Sequence, residues 1–518
     1  MGILRTLAYV ALLLVPYSLL VISYRLFIHP LRKYPGPFVA RITDLFGFSY
    51  AVTRSLHLKT WEGHQKYGPV VRHGPNKLTF NSVQAFQDIY SNDKIIKSHV
   101  YSACQLEPGI DSIFSVRDMN DHRRKRKLIG QVLAERSMRT FEPLMTEQVD
   151  VFLGILARAS QSSTVVDMSP CCKRLGVDIV GLLTFGRPLN TQTNPRFRFM
   201  VDNLSWANYQ SNILFQFPLL ASMGVPQILY ILSYAEFSKY MKQLENLVMG
   251  RLAQDRDAHH DLYSITGGAF NTESPKGIQA SEFWSEALFF FPAGSDTAST
   301  ALAGLFFYLS RNPKVYDKLA EEIRSNFSKG SEIQGPRLAR CQYLRACIDE
   351  TLRMSSPVSG TPWRELHSGE GGPLIIDGHV IPRGTQVGVS IYSLHRNEDY
   401  FPDPDVYLPE RWLVEDEAVR SKMNSAFAAF GSGSRGCAGK AMAYLEVSLV
   451  VAKTLWYFDF EKAPGKIGQL GGGSPGKVGR RGKVDEFQLY DTFSSTHDGP
   501  NLVFRPRGDH WKEIGRTE

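Results

Sequence analysis

The sequence predicts a mainly α (α+β) fold, a helical body with small β-sheets preceded by one N-terminal transmembrane helix. Three observations carry that expectation. Apolar residues recur at helical spacing from about Leu144 to Phe460, strand-like runs are few and short, and residues 6–24 carry no charge.

The helical segments include VFLGILARA, FSKYMKQLENLVMGRLAQ, SEFWSEALFFF, ALAGLFFYLSR and VYDKLAEEIRSNF, each with one apolar face. Strand candidates stand at PVVRHG, KLTFN, GHVIPRGTQVGVSIY and NLVFRPRG, next to turn-forming residues. The run PGKIGQLGGGSPGKVGRRGK, residues 464–483, is Gly-rich and basic, which predicts a flexible surface loop. Its glycines match neither a phosphate-binding loop nor a dinucleotide fingerprint.

The uncharged run TLAYVALLLVPYSLLVISY is about as long as a helix needs to cross a bilayer. It is longer than the apolar part of most cleaved signals, and no small-x-small cleavage site precedes Arg25. Arg25, Arg32 and Lys33 outnumber Arg5 across the span, which places the rest of the chain on the cytoplasmic side. Pro30, Pro35 and Pro37 then predict a stiff spacer. The expected division is an anchor over residues 1–28, a Pro-rich linker over 29–40 and one catalytic unit over 41–518.

The 518 residues are 43% hydrophobic and 12% aromatic, enough to build a large core. A net charge of +8 suits an anionic membrane surface or an acidic protein partner. Nucleic acid is disfavoured, because no zinc-finger spacing and no basic run interleaved with aromatics occurs. Six cysteines without a CxxC pair exclude a disulfide framework and fit a reducing compartment.

The most informative segment is FGSGSRGCAG, Phe430 to Gly439, which presents Cys437 just before the apolar run AMAYLEVSLVVAKTLW. Loop N–H groups and the positive end of a following helix would favour a thiolate there. Gly431 and Gly433 allow close backbone approach to a flat ligand, and Arg435 offers a forked donor to a carboxylate. A lone cysteine in such a loop is more often structural. Here, however, the segment resembles the cytochrome P450 haem signature, Phe-x-x-Gly-x-Arg-x-Cys-x-Gly, with every defined position filled.

Further motifs follow the same family's order. AGSDT, Ala293 to Thr297, inside a long apolar helix resembles its oxygen-activating segment, in which Asp296 and Thr297 would manage protons. Pro292 departs from the pattern and predicts a deeper kink, and Ala298 replaces a common hydroxyl, so Ser299 or Thr300 would share the water contacts. Glu350 and Arg353 in ETLR, with Arg411 of PERW, resemble the structural Glu-Arg-Arg network. His122 and Arg126 in DHRRKRKL, together with Arg364, resemble the haem-propionate ligands. The surplus Arg123, Arg124 and Lys127 read as a solvated face suited to an acidic electron donor.

The resemblance covers nearly the whole chain and has the flavour of microsomal fungal members that act on natural-product intermediates. It implies haem b on Cys437, with Phe430 and Arg435 beside it. It also implies electrons from NADPH through a cytochrome P450 reductase, with cytochrome b5 as a second donor candidate, and insertion of oxygen from O2 into a lipophilic small molecule. The implied location is the endoplasmic reticulum membrane, single-pass and cytosol-facing. Substrate contacts would come from residues 101–116, 205–224 and 355–362. A reductase-independent isomerase, dehydratase or peroxygenase remains as the alternative enzyme, and a haem sensor as the non-enzymatic one.

Overall fold

The computed structural model describes residues 2–105, 109–266, 280–369 and 371–514, with the backbone alone at 2–11, 13, 204, 226, 230, 280 and 281. The helices that position the site are α1 (Gly2–Ser23), α2 (Met119–Val132), α3 (Glu135–Gln161), α4 (Met168–Phe185), α5 (Arg198–Gln216), α6 (Tyr234–Leu252), α7 (Ala280–Leu309), α8 (Pro313–Asn326), α9 (Gln342–Met354) and α10 (Lys440–Tyr457). All five helical segments expected from periodicity lie in α3, α6, α7 and α8.

Among the described residues, ten strands form three small sheets. One five-stranded sheet has the order β1 (Val70–Gly74), β2 (Lys77–Phe80), β8 (Gln386–Val389), β5 (Arg364–Leu366), β3 (Ile95–Lys97). Only β2 and β8 run parallel in it. A second sheet joins β4 (Val166–Asp167), β10 (Asn501–Pro506) and β9 (Phe458–Lys462), while β6 (Leu374–Ile376) and β7 (His379–Ile381) form a hairpin. The Asp377–Gly378 turn of that hairpin has positive φ at both residues, as a two-residue connection needs.

Helix α7 runs through the middle of the core, with Leu302, Leu305 and Phe306 fully buried. It crosses α4 closely at a glycine. A Cβ on Gly294 would lie 2.4 Å from Val180 Cγ2, so the small residue sets the helix separation.

One expectation is left unsupported and two are corrected. No helix among the described residues is long and apolar enough to cross a membrane. Helix α1 contains Pro16 and ends at Ser23, where a π-turn over Tyr24–Ile28 begins. Its side chains are described at Leu12 and from Leu14 onward, so part of the expected span of residues 6–24 lies outside the described side chains.

The Pro-rich stretch does not stand off as a spacer. Leu31 and Tyr34 are buried with Leu78 and Phe80 of the large sheet, and Arg72 N–H donates to Pro35 O at 2.7 Å. Apolar residues between the prolines give this segment a face to bury.

Nor is the Gly-rich run of residues 464–483 a loose loop. It folds into short 3-10 turns, and Gly473 lies so close to Lys483 that a Cβ would meet the Lys483 carbonyl oxygen at 2.4 Å. Arg480, 4% exposed, donates to both Asp405 oxygens (2.9 and 2.5 Å) and to Tyr392 Oη (2.9 Å), and pairs with Glu486 at 2.7 Å. Composition suggested solvent for Arg480; the buried carboxylate of Glu486 and the exposed one of Asp405 hold it instead. Arg480→Ala is expected to lower unfolding free energy by about 3 kcal/mol in urea titration. Lys477→Ala in the same exposed turn should change it by less than about 0.5 kcal/mol.

Candidate active site

A cavity of about 440 Å³ opens where α2, α5, α7, α10 and the loop before α10 meet. Its volume lies within the ~300–1,000 Å³ of ordinary ligand sites. Cys437, Phe430, Arg435, His122, Arg126, Arg364 and Thr297 all line it.

The cysteine loop is fixed by its own backbone. Cys437 N–H donates to Phe430 O at 2.7 Å, Gly436 N–H to Gly433 O at 3.1 Å and Gly431 N–H to Ala428 O at 3.0 Å. Gly433 has φ +68°, and a Cβ there would lie 2.2 Å from Tyr90 O, so no other residue fits. The accessible surface of Cys437 faces the cavity. Surrounding protein pushes its thiol up, while the Gly439 N–H, Arg126 and Lys440 pull the other way. Phe430 packs its ring 5.1 Å from that of Tyr444.

The cavity wall in and beside the cysteine loop is cationic. Arg435 donates to Val116 O (2.7 Å) and Arg117 O (2.8 Å), Arg126 to Gly436 O (2.7 Å), and Arg364 to Trp363 O (3.1 Å). Buried Lys97 donates to Ile113 O (3.2 Å) and Phe114 O (2.5 Å). Burial and then the neighbouring arginines hold Lys97 well below its usual range, bring Arg435 down to about 10 and bring His122 down to about 3. His122 is therefore neutral. Among the described residues, none of Arg126, Arg364 and Arg435 has a carboxylate oxygen within ion-pair distance; Asp93 and Asp118 act on Arg435 only from farther away. A set of buried and half-buried cations held by carbonyls and without a carboxylate partner among the described residues fits a flat group carrying two carboxylates.

On α7, Thr297 Oγ1 donates to Ala293 O at 2.7 Å and lines the cavity. Asp296 does not line it. Its buried carboxylate pairs with Lys173 at 3.2 Å and accepts from Asn208 Nδ2 at 2.9 Å, and burial raises its pKa against those two partners. Ser299 and Thr300 were expected to share the water contacts, but neither lines the cavity. Ser299 meets His497, and Thr300 donates to Asp296 O and to Ser495 O. The helix runs unbroken through Pro292, whose missing N–H removes the usual partner of the Leu288 carbonyl at the cavity wall.

Glu350 is fully buried. It accepts from Arg353 (2.9 and 2.9 Å), Arg411 Nε (3.0 Å), Trp412 Nε1 (3.0 Å) and Leu408 N–H (3.0 Å). Burial alone would raise its pKa, but the two guanidinium groups and the N–H bring it below the usual carboxylate range. Arg353 also donates to His395 O at 2.8 Å. His395 Nδ1 in turn donates to Arg353 O (3.0 Å), and its Nε2 accepts from Ala428 N–H (2.9 Å) at the start of the cysteine loop.

A family model described as cytochrome P450 matches residues 35–469. The chain belongs to the cytochrome P450 family. It is similar to the cytochrome P450 monooxygenase AKT7 of Alternaria alternata, 34% identical over 508 residues that cover 96% of each chain. It is also similar to the cytochrome P450 monooxygenase apf7 of Gibberella fujikuroi (32% identical; 95% of this chain, 96% of the other) and to poxM of Penicillium oxalicum (32%; 93% and 92%). This cytochrome P450 is thus an oxidoreductase of the monooxygenase class that uses haem.

The P450 cavity also gathers the three segments expected to touch substrate, through Tyr101 and Phe114, Asn208 and Ser211, and Val358 and Pro362; residues 106–108 lie outside the described residues. Sequence reasoning missed Lys97, His395 and Asn208. No local motif marks them, since each acts through contacts distant in the chain. The surplus basic residues of α2 also divide: Arg123 is exposed, whereas Arg124 is engaged by Asp121 and Glu282.

His395→Leu should leave the Ala428 N–H and the Arg353 carbonyl unsatisfied, and so lower stability by about 3 kcal/mol in urea titration. The haem content of the purified variant should fall in parallel.

Proposed function

We propose that Cys437 would hold the iron of haem b in this monooxygenase, and that the enzyme oxidises a lipophilic small molecule in secondary-metabolite biosynthesis. The observation that carries the reading is the pairing of a cavity-facing thiol backed by a helix N-terminus, that of Cys437, with a cationic wall that has no carboxylate partner among the described residues. Cys104 lines the cavity too, but burial pushes it up to about 11, and no helix terminus of the Cys437 kind supports it.

Haem bound there supplies an iron at which O2 is reductively activated, with electrons drawn from NADPH through a separate reductase. The protein supplies the rest. Arg126, Arg364 and Arg435 receive the propionates, with the neutral imidazole of His122 as a further donor. Thr297 spends its hydroxyl proton on Ala293 O, so its oxygen is left to accept from a water in the cavity. Burial raises the pKa of Asp296 against Lys173 and Asn208, and Asn208, which bonds the carboxylate and lines the cavity, connects it to the site as a proton-relay candidate.

Phe289, Phe290, Leu288 and Phe493 make the cavity wall apolar, which supports a lipophilic substrate. Exposed Arg123 supports docking of an acidic reductase or cytochrome b5. An endoplasmic-reticulum location with single-pass anchoring by residues 1–28, a junction at 29–40 and a cytosol-facing unit at 41–518 is supported by apolar exposure. Leu12, Leu19 and Leu20 of α1 are exposed, as are Leu219, Met223, Ile231 and Leu232 after α5. Phe48, packed on Phe217 at 5.6 Å, links the N-terminal region to that second apolar patch.

With reductase, NADPH and isotope-labelled O2, the product should carry one labelled oxygen. In Thr297→Ala, product formed per NADPH should fall about tenfold while peroxide release rises; unchanged coupling would contradict the proton role.

A further inference from the structure

A second cavity, of about 330 Å³, lies between the end of α3, the start of α4 and the loop that leads into α5. Arg158, Arg174, Arg198, Gln192, Thr193 and Cys171 line it, and none of them lines the cavity described above. Its floor is rigid. Asp178 accepts the N–H groups of Thr191 (2.8 Å) and Gln192 (3.0 Å), and Arg198 donates to Thr191 O (2.9 Å) and Gln192 O (3.2 Å).

The other two arginines differ. Among the described residues, the guanidinium groups of Arg158 and Arg174 have no hydrogen-bond or ion-pair partner; Asp167 and Asp202 influence Arg174 only from beyond ion-pair distance. Burial and the facing Arg198 both press Arg174 toward its neutral form, so an anion between them would relieve that repulsion.

A separate observation narrows the ligand. Gln192 is 5% exposed and spends its Nε2 on Gln148 O (3.3 Å), which leaves Oε1 without a donor. The cavity therefore offers several cationic donors, and one of its lining residues, Gln192, carries an orphaned acceptor. Hydrogen phosphate or a protonated phosphate monoester matches both, with unprotonated oxygens for the arginines and one P–OH for Gln192. Carboxylate and sulfate lack that proton at neutral pH.

We propose that this cavity is a binding site for a phosphate-class oxyanion, inorganic phosphate or the phosphate of a small soluble metabolite, held by Arg158, Arg174 and Arg198 and oriented by Gln192. The test is calorimetric titration of the haem-loaded full chain with inorganic phosphate, and separately with sulfate and glucose 6-phosphate, at an ionic strength fixed by chloride. Phosphate or its ester should saturate one site below roughly 10 mM and bind several-fold more tightly than sulfate. Arg158→Gln/Arg174→Gln should weaken binding at least about tenfold with the haem spectrum unchanged; the single variant at exposed Arg158 serves if the double variant does not fold. Absence of saturable binding, or equal affinity in the variants, would overturn the site. Arginine-dependent retention on phosphatidate vesicles without binding of either soluble phosphate would overturn it as well, by assigning the cavity to a lipid headgroup.

Discussion

Keeping a sulfur anion inside a protein requires positive potential around it, and the region about Cys437 is arranged to meet that requirement. Burial opposes the thiolate; the Gly439 N–H, Arg126 and Lys440 favour it. These groups help only if the sulfur stays in place, and the loop leaves little freedom. Its backbone closes on itself through the Cys437 N–H and Phe430 O bond, and Gly433 lies against Tyr90 O where only hydrogen fits.

That loop is in turn tied to the deepest ionic cluster of the fold. Glu350 alone would be costly to bury, since its desolvation is the largest influence on its pKa. Arg353, Arg411, Trp412 and the Leu408 N–H satisfy it, and Arg353 passes the constraint on to His395 and then to Ala428. Neutrality of the imidazole is part of the design: burial and two adjacent arginines bring His395 down to about 3, so one ring nitrogen stays an acceptor for the loop. The cationic wall completes the arrangement, as positive groups without carboxylate partners are stable in the interior only with an anionic group opposite them.

The sequence made some of this legible and some not. Helix periodicity located the segments in α3, α6, α7 and α8, because a buried stripe at 3.6-residue spacing survives almost any tertiary context. The loop around Cys437 was readable because its chemistry is local: glycines for approach, a cysteine, then a helix. His395 and Lys97 were not, because a histidine between strands or a lysine in β3 gains its meaning from partners 33 and 16–17 residues away or more. Composition misled at residues 464–483, where Gly and Arg implied solvent while Asp405, Glu486 and Tyr392 were waiting in the fold. Pattern matching gave Asp296 and Thr297 a shared proton role; the helix turns the Asp296 carboxylate toward Lys173, while Thr297 faces the cavity.

The most direct measurement is the absorption spectrum of the reduced, carbon-monoxide-treated protein for the native chain, Cys437→Ser and Cys104→Ser. The account predicts a thiolate-ligated haem spectrum in the native chain and in Cys104→Ser, and its loss in Cys437→Ser. Persistence of that spectrum without Cys437, or its disappearance on removal of Cys104 alone, would contradict it.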